Sequence, residues 1–398
     1  MDLFDKANNW TAADDVRNLG LYPYFRAITS GQDTEVMVGG KKMIMVGSNN
    51  YLGLVNHPEV KQAMIHAIEK YGSSCTGSRF LNGTLDLHEE LERKLAAFVG
   101  KESCLVYSTG FQANLGVLST IVTRGEFILS DRDNHASIVD GCNLSFAKTV
   151  KFAHNDMADL ERVLANHKDD NKLIVTDGIF SMGGDICKLP KIIELKKKYN
   201  ARVMVDEAHS VGVLGKNGQG TGFHFHVQNE VDIVMATFSK SFAALGGFIA
   251  STHKVIDYLK HNSRPLIFSA SMPPASVAGV LKTLEIMQRE PERIEKLWAI
   301  VRKMKKAYQD MGYQTGQTES PIIPLHIGED LKTFQMAKEL GEEGVFATPI
   351  VSPAVPPGMA LIRTSYSATH TDAQLNFVLE KFKKIGQKLG VIPTAVRI

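Results

Sequence analysis

Between about residues 46 and 275 the chain alternates short apolar runs with helical segments, a pattern that few architectures can accommodate. The runs at 103–107, 127–130, 172–176, 203–206, 233–236 and 248–250 are short, continuous and rich in Val, Ile and Leu, as buried strands are. The segments at 86–98, 111–121, 158–166 and 191–198 carry helical periodicity. Strands and helices in strict alternation imply an α/β domain on a largely parallel sheet. In an open sheet of this kind, ligands bind beyond the carboxyl ends of the strands. Chemistry is therefore sought where each apolar run ends.

Residues 1–45 read as an N-terminal arm, with a helical start, a turn at Tyr22-Pro-Tyr24 and a hairpin near Gly39-Gly40. The large domain is expected over 46–285. A charged helical stretch at 276–311 leads into a smaller α+β domain over 286–398, with strands near 321–327, 345–350 and 360–365 and helices near 331–342 and 373–389. A chain of 398 residues is long enough for two such cores.

The formal charge of +2 gives no bulk attraction to nucleic acid or to an anionic membrane. Cys75, Cys104, Cys142 and Cys187 are scattered without paired CxxC spacing, against a zinc site or a disulfide framework and in keeping with a reducing cytoplasm. The first ten residues lack the basic start and apolar run of a secretion signal, and no apolar stretch reaches the roughly 20 residues that span a bilayer. A cytoplasmic protein is the expectation.

The strand ends carry a coherent set of groups. Thr237-Phe-Ser-Lys-Ser-Phe-Ala-Ala-Leu-Gly-Gly247 places Lys240 where a buried strand opens into hydroxyls and small residues. An ammonium there is costly unless paired or converted, and a lysine that forms a Schiff base with pyridoxal phosphate (PLP) is one such conversion. Thr237, Ser239 and Ser241 suit a phosphate ester. Asp206, ending the preceding strand, could hold a proton on a pyridine nitrogen, and His209 could donate to a ring phenolate. Ser108-Thr-Gly110-Phe111 opens a helix whose first N–H groups suit an anion. His135 offers an imidazole to stack on a flat heterocycle, and Ser181 lies in the glycine-rich loop after 172–176. Taken singly, each has an ordinary structural reading as a turn, cap or loop residue. Together they favour an enzyme.

Asn50-Tyr-Leu-Gly-Leu54, Ser108-Thr-Gly-Phe-Gln-Ala-Asn114, Asp206-Glu-Ala-His-Ser210, Thr237-Phe-Ser-Lys240 and Ala360-Leu-Ile-Arg363 together resemble the α-oxoamine synthases, fold-type I PLP-dependent transferases that join an amino acid to an acyl-CoA with loss of carbon dioxide. Leu21-Tyr-Pro-Tyr-Phe-Arg26 and Gly77-Ser-Arg-Phe-Leu-Asn-Gly-Thr84 look most like the soluble bacterial serine palmitoyltransferases within that family. The resemblance implies that Lys240 anchors PLP and then serves as acid and base. It gives Asp206 to the pyridinium, His209 to the phenolate and His135 to the ring face and the substrate carboxylate. Gly110, Phe111, Thr237 and Ser239 hold the phosphate, and Ser181 lies near the ring. Arg363 binds the amino-acid carboxylate, with Asn50 and Ser78 in the substrate set. The family is dimeric with shared sites, so Ser269-Ala-Ser271 is expected to reach the partner's phosphate. Arg26 is a candidate for CoA phosphates. The loop Ile350-Val-Ser-Pro-Ala-Val-Pro-Pro357 departs from the family's usual Pro-Ala-Thr-Pro.

The implied reaction joins L-serine to palmitoyl-CoA or another long-chain acyl-CoA, giving 3-oxosphinganine, CoA and carbon dioxide, the first step of sphingolipid synthesis. The alternative is a sister synthase using glycine or alanine with a different acyl-CoA, such as 2-amino-3-oxobutyrate CoA ligase or 8-amino-7-oxononanoate synthase. More distant readings are a PLP aminotransferase and a non-enzymatic subunit of the same fold. The expected partners are these substrates and a second copy of the chain, with no nucleic acid. Peripheral membrane association stays open.

Overall fold

A computed structural model describes residues 2–394. Its main sheet has seven strands, in the spatial order Ser103–Tyr107, Gly247–Ser251, Ile233–Thr237, Arg202–Asp206, Lys172–Asp177, Phe127–Asp131, Lys148–Phe152. Every pairing is parallel except those of Gly247–Ser251, which runs antiparallel to both neighbours. The reason is local: Gly247–Ser251 follows Ile233–Thr237 after a short loop, too short for the crossover a parallel return requires. Six strands therefore end at one edge, at Tyr107, Thr237, Asp206, Asp177, Asp131 and Phe152.

Helices cover both faces, and their start signals are readable. Thr109 caps Gly110–Ile121 by accepting from the Gln112 N–H, and Asp156 caps Met157–Asn166 by accepting from Ala158 and Asp159. Ile128, Leu173, Val175, Met204, Ile233 and Ile249 form one core layer with Val117 and Leu118 of the first of these helices. The six anticipated strands of this sheet are present, and Lys148–Phe152 is an addition. Its Lys-Thr-Val-Lys-Phe sequence alternates as a half-exposed edge strand does, so it lacks the continuous apolar run of a buried one.

The chain divides into two compact units. The larger comprises Asn49–Ala299 with Thr318–Pro321. The smaller gathers the residues up to Ser48, Ile300–Gln317 and those from Ile322 onward. The N-terminal residues read as a separate arm from the sequence thus cluster with the C-terminal part. The cause is a parallel pairing of Lys41–Met45 with Val345–Phe346, which joins the hairpin and that short strand into a three-stranded sheet. A second three-stranded sheet in this unit runs Ile322–Gly328, Ala360–Ser365, Thr348–Ile350, antiparallel throughout. Helices Asp330–Glu342 and Asp372–Lys388 pack on its core around Leu325, Ile362, Tyr366 and Phe382. No helix among the described residues is long and apolar enough to cross a membrane.

Candidate active site

At the carboxyl edge of the seven-stranded sheet a cavity of about 280 Å³ is lined by Gly110, Phe111, Asn114, His135, Ser137, Asp177, Asp206, His209, Thr237, Ser239 and Lys240, among others. A larger hollow of about 680 Å³ lies at the opposite edge. There Lys101 is already bound to the carbonyls of Gln228 and Val231, and Arg202 to Asp232, so its cations are engaged by the protein itself. The smaller cavity is the one with convergent chemistry.

Lys240 follows Ile233–Thr237 in a turn pinned by two fully buried rings, Phe238 and Phe242, whose centroids lie 5.3 Å apart edge to face. Phe238 also stacks on Phe248 at 5.7 Å. Ala243 takes the left-handed conformation (φ 54°), which closes the turn through its N–H to the Lys240 carbonyl at 3.0 Å. Such a conformation costs a residue with a Cβ roughly 1–2 kcal/mol. The buried phenylalanines on either side of the lysine hold the turn in it.

Asp206 ends its strand nearly buried. Its Oδ2 accepts from Asn114 Nδ2 at 2.7 Å and its Oδ1 from the Ala208 N–H at 2.9 Å, so each carboxylate oxygen has a donor. Asn114 Nδ2 also donates to Ser137 Oγ at 2.8 Å, and Ser137 Oγ lies 2.7 Å from His135 Nδ1. The Ser137 N–H donates to Nδ1 at 3.2 Å, so that nitrogen is the acceptor and the Ser137 hydroxyl turns its proton to it as well. The neutral His135 ring then keeps its proton on Nε2. Burial lowers its pKa, with Asp206 opposing and Lys240 assisting. His209 is fixed in the same way from the other side: Tyr51 Oη lies 2.7 Å from Nδ1. The same hydroxyl reaches Asn49 Oδ1 at 3.3 Å, so Tyr51 ties the His209 ring to the segment that precedes it.

The remaining wall suits an anion. The first turn of Gly110–Ile121 opens on the cavity, and a Cβ on Gly110 would come within 2.7 Å of Thr237 Oγ1. Glycine is required there by this close approach rather than by its backbone angles. Thr237 Oγ1 and Ser239 Oγ lie 3.0 Å apart at the same wall. Helix N–H groups with two hydroxyls form a phosphate site of ordinary type.

The structure thus gathers Lys240, Asp206, His209, His135, Gly110, Phe111, Thr237 and Ser239 around one cavity. The other residues singled out in the sequence lie outside its lining. Ser181 stands in the loop after Lys172–Asp177, and Asn50 Oδ1 accepts from the Leu54 N–H at 3.1 Å. Ser271 Oγ donates to the carbonyls of Gly83 (2.6 Å) and Gly77 (2.9 Å), so within this chain it holds the 77–84 loop. Ser78 is buried in that loop. Arg363 belongs to the smaller unit, on strand Ala360–Ser365, where it is buried instead of lying on the surface. Arg26, also in the smaller unit, stacks its guanidinium 3.9 Å above the Phe346 ring and donates to the Ala347 carbonyl.

The model of the family "Aminotransferase class I and II" matches residues 41–382. The chain belongs to that family. Within it, the chain is 51% identical to a serine palmitoyltransferase of Sphingobacterium spiritivorum, over 96% of each chain. It is 43% identical to an 8-amino-7-oxononanoate synthase of Thermoanaerobacter pseudethanolicus, over 95% of this chain and 96% of that one. Among solved structures it superposes on a serine palmitoyltransferase of S. paucimobilis carrying a bound PLP–myriocin aldimine, with a TM-score of 0.96 and 36% identity over 98% of this chain and all of that one. These relatives make the fold a fold-type I α/β transferase and make this aminotransferase-family member an enzyme.

Sequence reading passed over four residues of the cavity network: Asn114, Ser137, Tyr51 and Asp177. Asn114 stands four residues after Gly110, one helical turn on, and so faces the same way. Asp177 ends a strand as Asp206 does. Those two signals were available, whereas the Tyr51–His209 contact joins residues 158 apart and leaves no mark in either local pattern.

Proposed function

We propose that this enzyme is a PLP-dependent acyltransferase that condenses L-serine with palmitoyl-CoA or a similar long-chain acyl-CoA, yielding 3-oxosphinganine, CoA and carbon dioxide. Half-identity to serine palmitoyltransferase over nearly the full length carries the reading. The cavity's donor set supports it, because a flat phosphorylated pyridine fits what is there. A helix N-terminus and two hydroxyls would hold the phosphate, a carboxylate bonded to two N–H donors would meet the ring nitrogen, and Lys240 lines the same cavity for the aldehyde.

PLP, when bound, supplies an electron sink that stabilises negative charge at the amino acid's Cα. The chain's own groups supply the rest. Lys240 would hold the cofactor and move the proton at the amino acid's Cα. Asp206 would face the ring nitrogen, and Asn114 aims it there. His209 would donate to the ring oxygen. His135, which lines the cavity, would lie against the ring face and meet the substrate carboxylate. Arg363, Asn50 and Ser78 are the carried-over substrate residues, and Ser181 the carried-over ring neighbour. The acyl transfer needs no metal, since the thioester carbonyl is already reactive toward a carbanion.

The working form is a homodimer with shared sites, in which Ser271 serves the partner's phosphate. Exposed Phe80, Leu81, Phe111, Leu245 and Phe268 on the larger unit fit such a pairing. A cytoplasmic location with peripheral contact to membranes completes the proposal.

The test is product analysis by mass spectrometry with serine, glycine or alanine against a ladder of acyl-CoA lengths. Long-chain 3-oxosphinganine from serine is expected. Preferential CoA release with glycine or alanine would instead assign the chain to a sister synthase, in line with its 43% identity to one. Lys240→Ala should abolish both turnover and covalent retention of cofactor after borohydride reduction.

A further inference from the structure

Two carboxyl groups stand side by side at the cavity floor. Asp177 and Asp206 are the last residues of adjacent parallel strands and are direct partners in register. Both are nearly buried and both line the cavity. Like charges so placed do not both ionise readily, so their surroundings decide which one stays charged.

The surroundings differ. Asp206 receives Asn114 Nδ2 and the Ala208 N–H, one on each oxygen. The His135 backbone N–H faces the Asp177 carboxyl and favours its charged form, while Oδ1 is buried without any hydrogen-bond partner. A bare anionic oxygen in that position would be costly, and a protonated one much less so. The charged groups facing Asp177 are Asp206 from the next strand, Asp131 from the strand on its other side and Lys240 across the cavity. Burial is the largest influence, and it raises the Asp177 pKa well above the ordinary carboxylate range. Asp206 and Asp131 push the same way, while Lys240 opposes them.

Asp177 also grips the turn that presents His135. Its own N–H donates to Asn134 Oδ1 at 2.9 Å while its carboxyl faces the His135 N–H, so one residue meets two successive positions. Asn134 Nδ2 is tied in turn to the Val175 carbonyl at 2.8 Å and to Ser130 Oγ at 3.0 Å.

We infer that Asp177 is an uncharged positioning acid. It fixes the His135 turn and, by staying neutral, leaves Asp206 to carry the negative charge offered to the cofactor ring. The part concerning the cofactor rests on the PLP reading above; the protonation state does not. A second ionised carboxylate would still attract the pyridinium, but it would surrender the division between one charged partner and one neutral anchor.

Infrared difference spectroscopy of the cofactor-free protein at neutral pH tests the charge state independently of any activity. Wild type minus Asp177→Asn should show the C=O stretch of a protonated carboxyl group, and the same band should persist in Asp206→Asn. Because Glu207 is also buried and raised in pKa, the subtraction is needed to isolate Asp177. Ionised-carboxylate bands in place of the C=O band would overturn the inference. Titration with PLP, followed by absorbance, tests the positioning role. Asp177→Ala should weaken binding by about tenfold or more, the equivalent of one pKa unit in free energy. Asp177→Asn, neutral and of the same shape, should recover affinity to within about threefold of wild type. Asparagine binding PLP as poorly as alanine would refute a neutral anchor. Should the alanine variant fail to fold, the asparagine spectrum and titration decide the matter alone.

Discussion

His154 gives the sharpest pH prediction in this structure. Its Nδ1 lies 3.0 Å from Asp131 Oδ1 and its Nε2 lies 3.0 Å from Asp185 Oδ2, so one ring joins the end of a central strand to the loop that carries Ser181. Phe180 of that loop meets the imidazole edge to face at 4.4 Å. Burial by itself would lower the histidine's pKa, but the two carboxylates outweigh it and raise the value from 6.5 to about 10. At about 1.36 kcal/mol per unit, that rise corresponds to roughly 5 kcal/mol, an upper bound. The side chain is 23% exposed, and partial solvent screening reduces the working figure to about 2 kcal/mol. The sign follows from the raised folded-state value. Stability from this group is fully present below the unfolded pKa near 6.5, declines as pH rises above it, and is gone once pH passes about 10. Urea unfolding of wild type and His154→Gln at intervals from pH 6 to 10.5 measures it. The variant should be less stable by about 2 kcal/mol at pH 6, beyond a constant offset for lost packing against Phe180. That pH-dependent part should vanish by pH 10.5. A stability difference that stays flat across the range would refute the double ion pair.

Three further substitutions probe the cavity and its supports. Gly110→Ala would bring a Cβ within 2.7 Å of Thr237 Oγ1 and 3.2 Å of Met235 Cε. It should weaken PLP binding by about tenfold or more, from overpacking of roughly 1–3 kcal/mol, with far-ultraviolet circular dichroism unchanged. Tyr51→Phe removes the hydroxyl 2.7 Å from His209 Nδ1. The loss of one hydrogen bond, about 0.5–1.5 kcal/mol, should lower kcat/KM roughly two- to tenfold and shift the absorption of bound cofactor, with no effect on melting temperature beyond a degree or two. Glu92→Gln breaks a buried bidentate pair with Arg79 (2.7 and 3.1 Å) that also receives the Val106 N–H at 2.9 Å. It should destabilise the protein by about 3–5 kcal/mol in urea unfolding, because the guanidinium stays buried without its counter-charge.

The sheet was legible because its inner strands are buried on both faces and so appear as unbroken apolar runs. Lys148–Phe152 escaped that filter as a half-exposed edge strand. The N-terminal hairpin was legible from Gly39-Gly40, but its sheet was not. Its pairing partner, Val345–Phe346, is two residues long and about 300 positions away, and nothing in either local sequence records the meeting.

For the cavity, the same divide separates residues from their states. Lys240, Asp206, His209 and His135 could be named because strand ends at one sheet edge must converge, whatever the details. Which nitrogen of His135 holds the proton, and how His209 is held, depend instead on Ser137, Asn114 and Tyr51, residues with no chemistry of their own. The pair of aspartates makes the point most plainly. Asp177 and Asp206 have the same side chain, the same place at a strand end and neighbouring strands, so sequence offers no ground for giving them different charges. Asn114 and the Ala208 N–H bond to one of them, and a buried oxygen of the other meets no donor at all. The donor count, set by a helix more than 60 residues upstream, is what makes one aspartate an electrostatic partner and the other a neutral prop.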